Sequence, residues 1–317
     1  MKGYRYGLSM GRLWSLVMAS AAMVAAQPQF AQAQSTDDGG VSLKGEVQAG
    51  AEYDSNVSVD DLDTNTGLGD WSAVIDARAS LNAKLSGHTD ANLAYDFSQS
   101  LHEDFTEFDL QSHMASADIS HDFGKVRMGG AYRFIHAQLG GDDFLTMHQL
   151  SPYASLKLGK AVLLRADYSF TDKNFAGRID RDAKNHAGAI DAYYFINGSR
   201  SFLLAGYKYT HENANDAQYD YDGHSFKLRL TQKFAMGKQD AVLRLGWRHE
   251  RRDYDGITPS ILAKRKDRRH RLQADLEVPV SRIFFVAGEY EYGDYKSNLP
   301  SADFRQNVFS IKLGARF

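Results

Sequence analysis

The sequence predicts an all-β chain whose strands close into an antiparallel, up-and-down transmembrane barrel of about fourteen strands, with twelve and sixteen as the alternatives. Three observations predict it: apolar residues recur with a period of two, short and long connections alternate, and aromatic residues gather at one end of every second strand.

The period comes first. From Leu43 to Tyr53 every odd position is apolar or Gly, while the even positions are polar or charged apart from Gly50. From Trp71 to Leu85 the odd positions read Trp71, Ala73, Ile75, Ala77, Ala79, Leu81, Ala83 and Leu85. Between them lie Asp76, Arg78, Asn82 and Lys84 among other polar residues, with Val74 the one exception. Successive side chains of a strand point to opposite faces, so this is a strand pattern; a helix would spread the charges around its circumference. Twelve further centres follow near residues 95, 115, 131, 153, 166, 190, 206, 228, 246, 274, 288 and 311.

The connections come second. Short ones are expected near 86–89, 121–125, 158–161, 197–201, 235–240 and 279–282. Longer ones, rich in Asp, Gly, Asn and Thr, are expected near 58–70, 101–108, 139–146, 172–185, 211–223, 254–267 and 294–304. Turns on one rim and loops on the other are how membrane barrels are built. The aromatics come third. Tyr53, Tyr95 with Phe97, Tyr132 with Phe134, Tyr168 with Phe170, Tyr207 with Tyr209, Trp247, and Tyr290 with Tyr292 each stand in outward phase just before a long connection. At one height they form the girdle that amphipathic rings prefer at a membrane–water interface.

Both ends of the chain agree with a membrane destination. Lys2, Arg5 and Arg12 precede an apolar run from Leu13 to Ala26, and Phe30-Ala31-Gln32-Ala33 offers small residues for cleavage after Ala33. A signal peptide is expected over 1–33, a short periplasmic segment over 34–41 and the barrel over 42–317. At the other end Phe309, Ile311, Leu313, Ala315 and Phe317 alternate with polar residues and glycine, and the chain stops on Phe317. That pattern resembles the terminal strand read by the barrel-assembly machinery, so Phe317 is expected to be an assembly signal. An even strand number then puts both termini on the periplasmic side.

Composition narrows the function classes. There is no Cys, hence no disulfide and no thiolate metal site. No run of about eighteen apolar residues exists, so helical spans are excluded. Mean hydropathy is negative. Aromatics are 12%, glycines number 27 and prolines 5, a mixture suited to many strands joined by flexible turns. Without Lys2, Arg5 and Arg12 the formal charge moves from −3 to about −6, which argues against a nucleic-acid binder.

If the apolar face meets lipid, the lumen is charged. The expected lumen-lining set is Lys227, Arg229, Arg244, Arg248, Arg252, Arg269 and Arg271, beside Asp275, Glu277, Glu289 and Glu291. Such stripes either select solutes or pair with one another to stiffen the wall. Leu228, Leu243 and Leu272, each one residue from such an arginine, are expected to face lipid. The basic run holding Lys264, Arg265, Lys266 and Arg268 is expected at the outer rim, near lipopolysaccharide phosphates, with docking of an anionic polymer as the sharper reading. Asp60, Asp61 and Asp63, and again Asp216, Asp220 and Asp222, offer oxygen ligands without completing a calcium-loop motif. His102, His113, His136, His148, His186, His211 and His249 fall near the outer rim but form no catalytic motif, so no enzyme, metal or cofactor is expected.

The stretch Tyr53-Asp54-Ser55-Asn56-Val57 resembles the opening of the C-terminal barrel of the surface lipoprotein assembly modifier family, and the terminal Phe317 is similar too. The resemblance implies a fourteen-strand barrel assisting export of a lipoprotein. It departs from the family in lacking room for the periplasmic repeat domain, since about eight residues separate the expected cleavage site from the first strand. Three functions follow as expectations: an export component, a diffusion porin or exopolysaccharide exit pore, and a structural barrel with a filled lumen.

Overall fold

The computed structural model describes residues 40–317. The expected leader lies outside them. In chain order the strands are β1 (Val41–Asp54), β2 (Ser58–Val59), β3 (Thr64–Asn65), β4 (Asp70–Lys84), β5 (Thr89–His102), β6 (Leu110–Asp122), β7 (Val126–Leu139) and β8 (Asp142–Leu158). They continue with β9 (Val162–Phe175), β10 (Ala183–Phe195), β11 (Ser201–Ala214), β12 (Tyr221–Met236), β13 (Gln239–Thr258), β14 (Ala263–Pro279), β15 (Phe284–Ser297) and β16 (Phe304–Arg316). Fourteen of them, β1 and β4 to β16, pair antiparallel with their chain neighbours, and β1 meets β16 to close the barrel. The remaining two, β2 and β3, form a small ladder inside the first loop. Closure leaves no sheet edge, which hydrocarbon could not solvate.

The seam is fixed by the terminal residue. Phe317 donates its backbone N–H to the Gly45 carbonyl at 2.9 Å, and Gly45 donates back at 2.8 Å. A Cβ at Gly45 would collide with the Phe317 ring, so the glycine makes room for it. The expected facing of the leucines also holds: Leu228 and Leu272 are exposed and Leu243 is half-buried on the same outer face.

The girdle has an internal order that alternation alone does not reveal. The Tyr95, Tyr132, Tyr168 and Tyr207 hydroxyls share hydrogen bonds with Nδ1 of His113, His148, His186 and His224 on the following strand, at 2.6, 2.7, 2.5 and 2.8 Å. These pairs bridge neighbouring strands on the outer face, the sheet counterpart of side-chain pairing along a helix. Three of the histidines counted above as scattered rim residues are therefore repeated structural partners of tyrosine.

Two expected long connections are corrected. The segment 139–146 is a hairpin turning on Gly140 and Gly141 alone, with φ of 60° and 88°. A Gly-Gly pair suits both a loop and a two-residue hairpin turn, and here the positive φ of both residues makes the turn. The segment 254–267 is also mostly strand: β13 runs to Thr258, β14 starts at Ala263, and a register shift lies between Asp253 and Ile257. Its charges suggested a loop because the local sequence does not reveal that Arg265 is buried against Asp63 of the distant first loop as well as against Asp267.

Candidate functional site

The first loop, residues 55–69, does not stand up from the rim but folds across the mouth. Its launch is built by the residues at the end of β1. Asp54 accepts a hydrogen bond from the Asn56 backbone at 3.0 Å and another from Gln306 Nε2 at 2.7 Å. Asn56 in turn donates to the Arg305 carbonyl and accepts from Gly67 N–H at 2.8 Å, pinning both ends of the loop together. Asp54, Asn56 and Ser58 are all buried. The Tyr53–Val57 stretch is thus a device that turns the chain inward.

One flank of the loop is apolar. Val57, Val59 and Leu62 pack with Phe108, Leu110, Ala137, Leu139, Phe144, Leu145 and Phe175, which come from the inner wall between β6 and β9 and from the connection before β6. Val57, Val59 and Phe108 are at most 2% exposed. The three loop residues together contribute about 5 kcal/mol of burial at the usual transfer value.

The other flank is ionic. Asp60 Oδ2 lies 2.7 Å from the Arg269 guanidinium, and Asp63 bridges Arg265 at 2.6 Å and Arg181 at 2.9 Å. Arg181 also donates to the Asp61 carbonyl and lies over the Tyr219 ring. Arg265 is held further by Asp267 at 2.7 Å and lies over Tyr254. Burial alone would push the Asp63 carboxyl up, but the guanidiniums of Arg265 and Arg181 outweigh it and hold the group below its ordinary 3.8. Asp63 itself has φ of 58°, the left-handed conformation that ends the short 3-10 turn Asp60–Leu62. A cavity of about 180 Å³ remains beside this flank, lined by Leu62, Asp63, Arg181, Tyr219, Arg265 and Ser301 among others.

The acids considered as calcium ligands are therefore engaged elsewhere. Asp60 and Asp63 bind arginine, Asp216 caps the turn at Gln218, and Asp220 accepts from Ala214 N–H. Among the described residues no group of three His, Asp or Glu side chains is placed to hold a metal.

The expected lumen residues all stand on the inner face, in three settings. Some are paired along the wall: Lys227 with Asp191 at 2.9 Å, Arg252 with Glu250, Glu277 with Arg316 at 2.9 Å, and Glu289 with Lys312 at 3.2 Å. Glu291 accepts from Gln273 at 2.7 Å. Arg269 is committed to the loop and to Asp267. Among the described residues Arg229, Arg244, Arg248 and Arg271 have no acid within 4.0 Å, and Asp275 faces Arg244 across β13 and β14 without reaching it. Lys227, Arg248 and Arg271 occupy directly opposed positions on three adjacent strands. Like charges so opposed repel unless an anion or water stands among them.

Of the four basic residues expected at the outer rim, Lys264, Lys266 and Arg268 are exposed at the loop rim. Arg265 is not: it is 2% exposed and points inward, because a strand rather than a loop carries it and alternation reverses its facing. Sequence reasoning also missed an apolar patch on the inner wall near the turn rim, where Leu163, Tyr193, Phe202 and Leu204 pack together with Phe195. Runs such as Val162-Leu163-Leu164 and Phe202-Leu203-Leu204 are apolar on both faces, so the period carries no facing information there.

The Gram-negative porin family matches residues 19–317. No curated protein sequence matches the chain. Among solved structures, the barrel is similar to the outer-membrane-expressed OmpT of Vibrio cholerae, with a TM-score of 0.53 at 11% identity, covering 89% of this chain and 99% of that one. It is similar as well to an anion-selective porin from Comamonas acidovorans, with a TM-score of 0.50 at 10% identity over 88% of this chain and 99% of the other. At such identities the likeness is one of fold. The family match spans the whole barrel, and with the closed fourteen-strand wall it places the protein in the outer membrane as a member of the Gram-negative porin family.

Proposed function

We propose that the protein is a diffusion pore for small anionic solutes, which enter past the first loop and are drawn along the free arginines of β12 to β14. The carrying observation is that, among the described residues, Arg229, Arg244, Arg248 and Arg271 have no carboxylate within ion-pair distance, with Arg248 flanked in register by Lys227 and Arg271. Wall pairs that only stiffened the barrel would neutralise these cations as they do at Lys312 and Arg316. An unpaired guanidinium in a lumen is a stepping site for carboxylate or phosphate, since its planar fork matches both. The loop rim faces the exterior in this reading, and both termini face the periplasm.

The Tyr53–Val57 opening that suggested export is explained by the loop's own hydrogen bonds, and it favours no export cargo over a solute. Likewise Phe317 supports the seam whether or not assembly factors read it.

The test is the reversal potential of single channels under a potassium chloride gradient. The wild-type pore is expected to prefer chloride. Arg248→Gln and Arg229→Gln together should move the preference toward potassium without reducing the folded fraction. Cation preference in the wild type, or no change in the double variant, would contradict the proposal.

A further inference from the structure

The outer face of β12 to β15 carries an ordered sequence of rows that an amphiphile would match. In register lie Leu228, Trp247, Leu272 and Tyr292, an apolar row. Toward the loop rim the next outward positions are His249 and His270, whose rings stack at 4.4 Å. One row further, Arg251, Arg268 and Lys296 stand directly opposite one another on three adjacent strands. Cross-strand pairing ordinarily sets opposite charges there, and three like charges in line are unfavourable without a counter-ion.

The neighbouring acids engage the flanks of the row and leave its centre unpaired. Arg251 binds Asp253 at 2.7 Å, and Lys296 binds Asp303 at 2.9 Å with Asp294 at 3.9 Å. Among the described residues Arg268, at the centre, has no ion pair, and neither does Lys266 nearer the rim. The arrangement is not repeated in the sector of β5 to β7. On β5 to β7 the row one step above the stacked pair His113 and His136 is Gln99, Gln111 and Gln138.

We propose that the row Arg251, Arg268 and Lys296 is a binding site for a phosphate group of an outer-leaflet lipid, the acyl chains lying against Leu228, Trp247 and Leu272. Two features select a lipid over free phosphate. The cations sit on the same face as the exposed leucines and within two rows of them, so one molecule reaches both. The site is also open and convex, so its charges alone hold a small ion weakly, whereas burial of acyl chains adds an attraction that scales with apolar area. Arg268 is the central phosphate ligand, Arg251 and Lys296 its flanks, and Lys266 a reserve toward the rim.

The experiment uses the full mature barrel refolded in detergent. Retained lipid is measured by native mass spectrometry after titration with lipopolysaccharide, with dephosphorylated lipopolysaccharide and with inorganic phosphate. Wild type should hold the phosphorylated lipid about tenfold to a hundredfold more tightly than the dephosphorylated one, as three cations near an anionic headgroup imply. The triple variant Arg251→Gln, Arg268→Gln, Lys296→Gln should lose that ratio while keeping heat-modifiable mobility. Should the variant fail to fold, the wild-type ratio decides alone. An equal affinity of wild type for both lipids would overturn the proposal, as would an unchanged ratio in a folded triple variant. Inorganic phosphate bound as tightly as lipid would also overturn it, because the site would then read phosphate alone. The inference needs the loop rim to face outward, which labelling of a cysteine introduced at Ser260 on intact cells checks separately.

Discussion

The two flanks of the first loop hold it by different physics. On the side of β6 to β9, Val57, Val59 and Leu62 sit among leucine, alanine and phenylalanine side chains with no charge involved. On the other side, Asp60 and Asp63 are held by Arg269 and Arg265 of β14 and by Arg181 of the connection between β9 and β10. Apolar burial does not titrate and is not weakened by screening, whereas ion pairs weaken with screening and with protonation. The difference teaches where the mouth can yield. The apolar flank fixes the loop to the wall, and the ionic flank is the edge at which a solute anion or a proton competes.

The largest expected effect comes from the apolar flank. Phe108→Ala should cost about 3–5 kcal/mol of loop attachment, because a buried ring is lost against Val57 and Val59. Backbone hydrogen exchange over 57–68 should then speed up by orders of magnitude while the strands stay protected. Unchanged exchange would break the claim that this cluster is the fixed side.

Asp63→Asn should cost less, about 1–3 kcal/mol, because Arg265 keeps Asp267. Its signature is flickering: brief high-conductance openings with the average attachment preserved. If Asp63→Asn freed the loop as fully as Phe108→Ala, the two flanks would not differ in kind.

A smaller effect sharpens the ionic side by pH. The folded-state carboxyl of Asp63 lies below 3.8. Its contribution is therefore complete above the ordinary carboxylate range and is lost as pH falls through the lowered value. Wild-type openings should be rare at neutral pH and rise below about pH 4. The Asp63→Asn pore should lack the Asp63 share of that rise, and an identical acid response in both would show that other carboxylates carry it.

Most of the wall was legible in the sequence because membrane strands must alternate. The inward facing of Arg229 and Arg271 and the outward facing of Leu228 and Leu272 follow from parity alone. The inward fold of the first loop was not legible, since its partners are remote: Asp63 meets a residue 118 positions away and Asp60 one 209 positions away. A signal was nevertheless present. Val57, Val59 and Leu62 are apolar residues in a loop otherwise rich in Asp, Thr and Gly, and solvent would have had no use for them. Arg265 was misplaced for a related reason: a dense basic run looks like exposed rim until Asp60 and Asp63 arrive from the first loop and, with Asp267 of the run itself, neutralise its inward half.

The central claim is that residues 55–69 restrict the pore, and single-channel conductance tests it most directly. Residues 57–68 are replaced by two glycines, which removes both flanks of the loop and leaves the fourteen barrel strands complete. The account predicts a folded barrel whose conductance rises severalfold over wild type, with the acid response gone. A folded variant with wild-type conductance would contradict it, because the constriction would then lie in the wall and not in the loop.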